Sequence, residues 1–388
     1  MNTVASANAL ESKLPEIGTT IFTVMSALAN ESGALNMSQG FPDYDGPVAL
    51  REALGRNVMA GNNQYAPMAG VLALREQIAA KLSLYYGIEA NPDTEITVVP
   101  GATEAIYCAI TACVRPGDEV IVFDPAYDSY EPSVTLNGGV TRHIAMREPD
   151  FGIDWDEVEA TINGRTRLII INSPHNPSGA ILQDADLRKL EHLVTQHNLL
   201  VVSDEVYEHL VFDGARHCSV LQYAGLRERS FATFSFGKTF HITGWKTGYC
   251  VAPPVLTAEL RKVHQFVAFV AVTPVQMALA DFMAAEPDFP AGLANFYQQK
   301  RDLFCGALQD SRFKLTPSPG TYFQLLDYSA LSNELDADLA VRYTREQGIA
   351  SIPISVFCEK PLSGRYLRFC FAKSEEMLLS GAEILCGI

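Results

Sequence analysis

Lys238 is the residue whose surroundings in the sequence most directly predict a reaction. It follows a short apolar run, residues 230–234, which has the composition of a buried strand. An amine at the end of a buried strand is poorly solvated. Desolvation lowers the pKa of this amine, and so do nearby cations. The neutral amine can then attack a carbonyl carbon to form a Schiff base. Because Ser235 and Lys246 could hold a phosphate beside it, the segment indicates pyridoxal 5'-phosphate (PLP), although such a lysine can also be a plain solvated residue.

Two other apolar runs end in residues that suit the same cofactor. Ligands of open α/β sheets bind beyond the carboxyl ends of the strands. After the run at 96–99, the chain turns at Gly101 into a helix predicted at 103–114, and the free N–H groups at the start of that helix suit a phosphate. After the run at 119–123 comes Tyr127, which could stack on an aromatic ring. The simpler alternatives are a turn glycine, a helix cap and a packing ring.

Polar residues also follow the apolar runs at 168–172 and 199–203. Asn176 lies in a loop made rigid by two prolines and could donate its amide N–H to a phenolate oxygen. Asp204 would be costly to bury unless it met a cation such as a protonated pyridine nitrogen, and Tyr207 could reach a ring hydroxyl. Alternatively, Asn176 forms a turn and Asp204 caps a helix. The ordered set of five strand ends nevertheless favours a complete PLP site.

An arginine near the C-terminus could bind the substrate. Arg368 lies in an alternating segment, residues 365–371, that reads as a strand. A guanidinium group binds a planar carboxylate through two hydrogen bonds, which a lysine cannot reproduce. The alternative is a surface ion pair.

Composition excludes several other classes of protein. The chain has 388 residues, of which 48% are apolar and 19% charged, enough for two domains that share a large core. A net charge of −16 and a pI of about 4.9 argue against nucleic acid or an anionic membrane as a partner. No apolar run reaches the roughly 20 residues of a membrane span.

Cysteine and histidine usage predicts the compartment. The N-terminus lacks the basic start and apolar stretch of a signal peptide. The eight cysteines form no C-x-x-C pair, and the eight histidines form no H-E-x-x-H cluster. We therefore expect a cytoplasmic protein without disulfides and without a metal site.

The alternation of strand and helix patterns predicts how the chain is organised. Residues 1–47 should form an N-terminal arm that joins a small domain. Residues 48–285 alternate short apolar strands with helices, as in an α/β domain with a mostly parallel sheet. Residues 286–388 begin with a helix at about 290–310 and should form the small α+β domain.

Several motifs together resemble those of a known family. The segments 176–179, 204–207 and 235–246 are similar to the class I/II aminotransferases of PLP fold type I. Segments 38–43, 63–65 and 367–373 resemble their kynurenine/glutamine transaminase branch. The resemblance runs from about residue 12 to the end. It implies a seven-stranded, mostly parallel sheet and a homodimer with shared active sites.

The resemblance also implies a role for each site residue. Lys238 would bond the cofactor and move the substrate proton. The cofactor would be held by Ala102, Thr103, Tyr127, Asn176, Asp204, Tyr207, Ser235 and Lys246, with Tyr65 reaching the phosphate of the neighbouring subunit. Gly40, Asn176 and Arg368 would receive the substrate carboxylate, and Phe22 would line the side-chain pocket.

The implied activity is transfer of an amino group from methionine or an aromatic amino acid to a 2-oxo acid, with ping-pong kinetics. A kynurenine/glutamine transaminase and a cysteine-S-conjugate β-lyase share every cofactor residue and stay open as alternatives. Thr103 and Phe22 stand where some kynurenine transaminases have tyrosine and tryptophan. A PLP-binding regulator without turnover is disfavoured, because the arm is too short for a DNA-binding domain and has few basic residues.

Overall fold

Twelve strands and fourteen α-helices make up residues 11–388, the part of the chain that the computed structural model describes. The strands are β1 (Leu35–Asn36), β2 (Ile96–Val99), β3 (Glu119–Asp124), β4 (Val140–Ala145), β5 (Thr166–Asn172), β6 (Leu200–Asp204), β7 (Ser230–Ser235), β8 (Gly248–Val251), β9 (Phe323–Asp327), β10 (Ile349–Ala350), β11 (Ile352–Pro353) and β12 (Tyr366–Cys370).

The helices connect and cover these strands. They are α1 (Ile21–Ser32), α2 (Val48–Met59), α3 (Leu72–Tyr86), α4 (Ala102–Cys113), α5 (Tyr130–Leu136), α6 (Trp155–Thr161), α7 (Asp184–Gln196), α8 (Ala224–Arg227), α9 (Phe236–Thr239), α10 (Pro254–Val267), α11 (Thr273–Ala285), α12 (Leu293–Ala307), α13 (Asp336–Arg342) and α14 (Glu375–Cys386).

A seven-stranded sheet forms the centre of the larger part of the molecule. Its spatial order is β2-β8-β7-β6-β5-β3-β4, and within it only β8 runs antiparallel to its neighbours. Side chains alternate between its two faces: Ile169 and Ile171 join one buried cluster, while Leu168 and Ile170 join another. Helices cover both faces, which explains why the strands read as continuous apolar runs.

The two faces are covered by different helices. Helices α4, α5 and α10 pack in one cluster, whereas α2, α3, α6, α7 and α11 pack in the other. Local signals fix several helix ends. In α7, Gln183 and Asp186 form a reciprocal capping box, and Ser374 caps α14 by accepting from Met377 N.

A smaller antiparallel sheet, in the order β11-β12-β9, has a buried cluster of its own. Its central strand β12 carries Arg368, which is paired with Ile352 on one side and Leu325 on the other. Strand β1 pairs in parallel with β10, so the segment before residue 47 packs beside this smaller sheet. The first ten residues of the predicted arm lie outside the described residues, and the domain boundaries at 47/48 and 285/286 stay a prediction.

The expected fold class is confirmed, with two differences in detail. Six strands of the large sheet, predicted at 96–99, 119–123, 168–172, 199–203, 230–234 and 248–252, begin and end within two residues of the observed bounds. The seventh, β4, was not among the individual strand predictions, because Thr141, Arg142 and His143 interrupt its apolar pattern at an edge of the sheet. The helix predicted at 290–310 starts as a 3-10 turn, Phe289–Gly292, and continues as α12.

Among residues 11–388, no helix is both long and apolar enough to span a membrane.

Candidate cofactor and substrate site

The predicted site residues meet at one edge of the large sheet. Strands β2, β3, β5, β6 and β7 run in the same direction, so their carboxyl ends share this edge. Strand β8 runs the opposite way, and its start, just after Lys246, therefore lies at the same edge. A cavity of about 320 Å³ opens there. It is lined by Phe22, Gly40, Ala102, Thr103, Tyr127, Asn176, Asp204, Tyr207, Ser235, Lys238, Lys246 and Arg368, among others.

Tyr65 is the one predicted site residue that does not line this cavity. Its side chain is 83% exposed and meets the ring of Phe269 edge to face, with centroids 5.4 Å apart. The expectation that Tyr65 reaches the site of a neighbouring subunit stays a prediction.

One end of the cavity suits a phosphate. Helix α4 begins at Ala102 and directs its first N–H groups toward this end. Gly101 has a φ of 80°, and a Cβ there would lie 3.3 Å from the Lys246 side chain. Lys246 Nζ donates a hydrogen bond of 3.4 Å to Thr103 Oγ1. The helix start, a hydroxyl and an ammonium group therefore surround one position, and they fit the phosphate of the predicted cofactor.

Asp204 forms the floor of the cavity. The carboxylate is buried and accepts hydrogen bonds from Tyr130 Oη at 2.7 Å and from the Val206 amide at 3.4 Å. Burial raises its pKa to about 6, even though those hydrogen bonds and Lys238 act in the opposite direction. A buried carboxylate whose hydrogen-bond donors are both neutral fits a cationic ring nitrogen as its missing partner.

Two residues that support this floor were not predicted. Tyr130 holds Asp204, as described above. Asn172, the last residue of β5, donates from Nδ2 to Asp204 O at 2.9 Å and accepts from the Asn176 amide at 2.7 Å. It ties two neighbouring strand ends together. For Asn172, the only signal in the sequence is its position as a polar residue at the end of an apolar run. No signal in the sequence points to Tyr130.

Lys238 projects from α9, a single helical turn directly after β7. Its Nζ atom donates to Gly40 O at 3.0 Å and to Tyr322 Oη at 2.9 Å, and both acceptors are neutral. Burial, together with the cationic side chains of Lys246 and Arg368, lowers the pKa of Lys238 to about 8 against the opposing effects of Cys370 and Asp204. The amine therefore becomes neutral, and nucleophilic, well below the ordinary lysine range.

Arg368 is buried, with an exposed fraction of 1%. Nη1 donates to Asn176 Oδ1 and Nη2 to Ser38 O, both at 2.8 Å, while the guanidinium group lies 3.9 Å from the ring centroid of Phe323. Its Nε atom has no hydrogen-bond partner among the described residues. A surface ion pair is therefore excluded as an explanation, and a buried guanidinium without a carboxylate fits a substrate carboxylate.

The chain matches known proteins along most of its length. Residues 32–385 match the family model of aminotransferases of class I and II. Methionine aminotransferase of Escherichia coli is 53% identical, over 97% of this chain and 97% of that protein. Kynurenine–oxoglutarate transaminase of Dictyostelium discoideum is 32% identical, over 92% and 91% of the two chains.

A solved structure also matches this chain along its length. A crystal structure from E. coli, reported with a methionine aminotransferase function, superposes with a TM-score of 0.96 at 52% sequence identity. The superposition covers 98% of this chain and 100% of that one.

Proposed function

Since this chain belongs to the class I and II aminotransferase family, we propose that it uses PLP to move the amino group of methionine, or of an aromatic amino acid, to a 2-oxo acid. The family predicted from the motifs is confirmed, and the chain is an aminotransferase. The observation that carries the cofactor assignment is the meeting of Lys238, Asp204 and the phosphate-type start of α4 around a single cavity.

The residues at this edge divide the binding of PLP among them. Ala102, Thr103, Ser235 and Lys246 would hold its phosphate, and Asp204 would face its ring nitrogen. Tyr127, Tyr207 and Asn176 would contact the ring and its oxygen. Bound in this way, PLP supplies an aldehyde carbon that captures amines and a ring that takes up electrons from the α-carbon of the substrate.

Lys238 has two tasks in this proposal. Its neutral amine is the nucleophile that holds the cofactor until an amino acid displaces it. The displaced Nζ atom then takes the proton from the α-carbon, and it returns a proton when the second substrate passes through the reverse sequence. Arg368 holds the α-carboxylate, which fixes the α-carbon close to the amine.

The composition of the cavity favours an uncharged substrate side chain. Among the lining residues of this chain, the cations are Lys238, Lys246 and Arg368. Each has a task at the amine, the phosphate or the α-carboxylate, so residues 11–388 of this chain place no further cation at the cavity for a second carboxylate on the substrate. Phe22 and Phe41 line the cavity and present apolar surface of the kind a thioether or aromatic group would contact.

Mixing the PLP-loaded protein with L-methionine alone tests the proposed function. We expect the absorbance band of the lysine-bound cofactor to fall and the pyridoxamine band to rise, with a 2-oxo acid reversing the change. If phenylalanine or kynurenine gives the change and methionine does not, the substrate assignment is wrong. Release of pyruvate from a cysteine S-conjugate would indicate the lyase alternative. A protein that takes up no PLP would refute the proposal as a whole.

A homodimer with shared sites is part of the proposal. Tyr65 and Phe269 lie next to other exposed apolar side chains, including Phe266 at 84% and Val272 at 58% exposure. Exposed apolar surface of this kind is typical of an interface between subunits. Light scattering should give the mass of a dimer. Tyr65→Phe should weaken PLP binding without dissociating the dimer. The eight cysteines are free thiols, which fits the predicted cytoplasmic location.

A further inference from the structure

Tyr322 contacts the amine of Lys238, and neither the motifs nor the proposed function assigns it a role. It lies just before β9, and its side chain is fully buried. Its hydroxyl oxygen lies 2.9 Å from Lys238 Nζ. Lys238 and Gly40 line the cavity, whereas Tyr322 does not.

The hydrogen bonds determine which of the two groups donates. Tyr322 Oη donates its only hydrogen to Gly40 O, at 2.5 Å. Burial, together with the neighbouring tyrosines and Cys370, holds the pKa of Tyr322 well above its ordinary value, so the phenol keeps this hydrogen. Toward Lys238 it therefore offers a lone pair, and the amine is the donor.

A neutral amine has two N–H bonds and one lone pair. In this structure Lys238 Nζ has two acceptors, Gly40 O and Tyr322 Oη, one for each N–H bond. With both N–H bonds engaged by these acceptors, the remaining position on nitrogen is the one left for a group bound in the cavity that Lys238 lines. That position carries the lone pair of the neutral amine, or the extra hydrogen of the ammonium form.

We propose that Tyr322 is a positioning residue that, with Gly40 O, orients the lone pair of Lys238 toward the α-carbon of the substrate and toward the aldehyde carbon of the cofactor. In the proton step, the C–H bond at the α-carbon breaks, its electron pair stays with the substrate, and the proton bonds to the lone pair of Nζ. Tyr322 keeps its own hydrogen throughout. The proposal rests on the proposed function and adds to it a residue that governs how the amine is presented.

Tyr322→Phe removes the acceptor with little change in volume. The matched control is Tyr297→Phe, which also removes a buried hydroxyl. Tyr297 bonds to His241 Nδ1 at 2.9 Å, and its ring lies 5.7 Å from that of Tyr322. The first measurement is the rate at which each apoprotein captures PLP covalently. Binding of pyridoxamine phosphate, which has no aldehyde, serves as the non-covalent reference.

We expect Tyr322→Phe to slow covalent capture about tenfold, because one N–H bond of the amine loses its fixed direction. Affinity for pyridoxamine phosphate should stay within about twofold of the unaltered protein, and Tyr297→Phe should match the unaltered protein in both measurements. In single-turnover reactions with α-deuterated methionine, Tyr322→Phe should increase the isotope effect. In steady-state reactions it should lower kcat and leave KM nearly unchanged, and a purely structural role would not produce this combination of effects.

Equal capture rates in Tyr322→Phe and the unaltered protein would overturn the proposal, as would equal slowing in Tyr297→Phe. If the unaltered protein itself captures no PLP, the proposed function fails instead, so the two failures are distinguishable. If Tyr322→Phe does not fold, 3-fluorotyrosine placed at position 322 keeps the hydroxyl and reports the contact. Its fluorine resonance should differ between the PLP and pyridoxamine phosphate forms, because only in the latter is the amine of Lys238 free to donate a hydrogen bond to the hydroxyl at position 322. An identical resonance in both forms would overturn the proposal.

Discussion

Lys81 packs against strand β7 and Lys238 follows its end, and the surroundings of these two lysines differ in one respect that matters. Lys81, on α3, forms a buried ion pair with Glu208, donates to Tyr249 Oη at 3.1 Å and lies 4.8 Å from the ring centroid of Phe234. Burial lowers the pKa of Lys81 and would raise that of Glu208. The attraction and hydrogen bond between the two oppose burial at both groups, and with the hydrogen bond from Tyr86 they bring the pKa of Glu208 below its ordinary value. Within residues 11–388, Lys238 in contrast has two neutral acceptors and no carboxylate within hydrogen-bond distance.

The comparison shows that burial by itself does not make a lysine reactive. A carboxylate beside a buried ammonium group stabilises its charged form against the effect of burial, and the pair acts as a structural element. A buried amine with only neutral acceptors loses its proton more easily, and its lone pair then becomes available. The presence or absence of a counter-charge separates the two roles.

Lys238→Ala should have the largest effect of the changes considered. Removing both the nucleophile and the proton carrier should lower the rate of transamination by more than about 10³-fold. Lys81→Met should keep most of the turnover per folded molecule. Single-turnover absorbance measurements on both variants check the contrast, and comparable losses in the two would mean that the lysines do not have separate roles.

Lys81→Met should instead lower stability. Removing one partner leaves the Glu208 carboxylate buried and unpaired, which we expect to cost about 3–5 kcal/mol of the free energy of unfolding. Urea denaturation of the apoprotein measures this loss. The double variant Lys81→Met/Glu208→Gln should recover part of it, since neither position of the pair then carries a buried charge. A double variant less stable than Lys81→Met would contradict the account of the ion pair.

Arg368→Lys tests the carboxylate site independently of the reactive amine of Lys238. The substitution keeps a positive charge near Lys238 but loses the guanidinium fork, so kcat/KM for methionine should fall about 30-fold, most of it through KM. The PLP capture rate should be nearly unchanged. Arg365→Lys, on the segment leading into β12, is the control, because the hydrogen bonds of the Arg365 side chain within the described part of the chain go to Ser332 O and Asn333 Oδ1, away from the cavity. A similar loss of kcat/KM in that control would argue against a specific carboxylate site.

The smallest expected effect is a pH dependence. A group with a pKa of about 8 becomes neutral through that pH, so the rate of PLP capture should rise about tenfold between pH 7 and pH 9 and then level off. An ordinary lysine would continue to gain rate up to about pH 10.5. Stopped-flow capture rates over this range decide between the two, and a rate still rising steeply above pH 9 would mean that burial does not lower the pKa of Lys238.

The cofactor end of the site was more predictable than the substrate end. Asp204, Asn176 and Lys238 each follow an apolar strand, and the parallel direction of those strands brings them to one edge. Tyr130 and Tyr322 could not be predicted, because each acts through a contact that only tertiary packing creates. In the same way, the pairing of β1 with β10 brings Gly40 near the site through a register that no local pattern specifies.

Gly40 has a consequence for how this site can be explored by mutation. The atom that accepts from both Lys238 and Tyr322 is a backbone carbonyl oxygen, and no exchange of side chain removes it. Substitution at position 40 would instead force a Cβ within 2.8 Å of the Phe323 ring. A deep mutational scan would therefore score position 40 as a packing constraint, and its role as an acceptor would become visible only through backbone chemistry such as an amide-to-ester exchange.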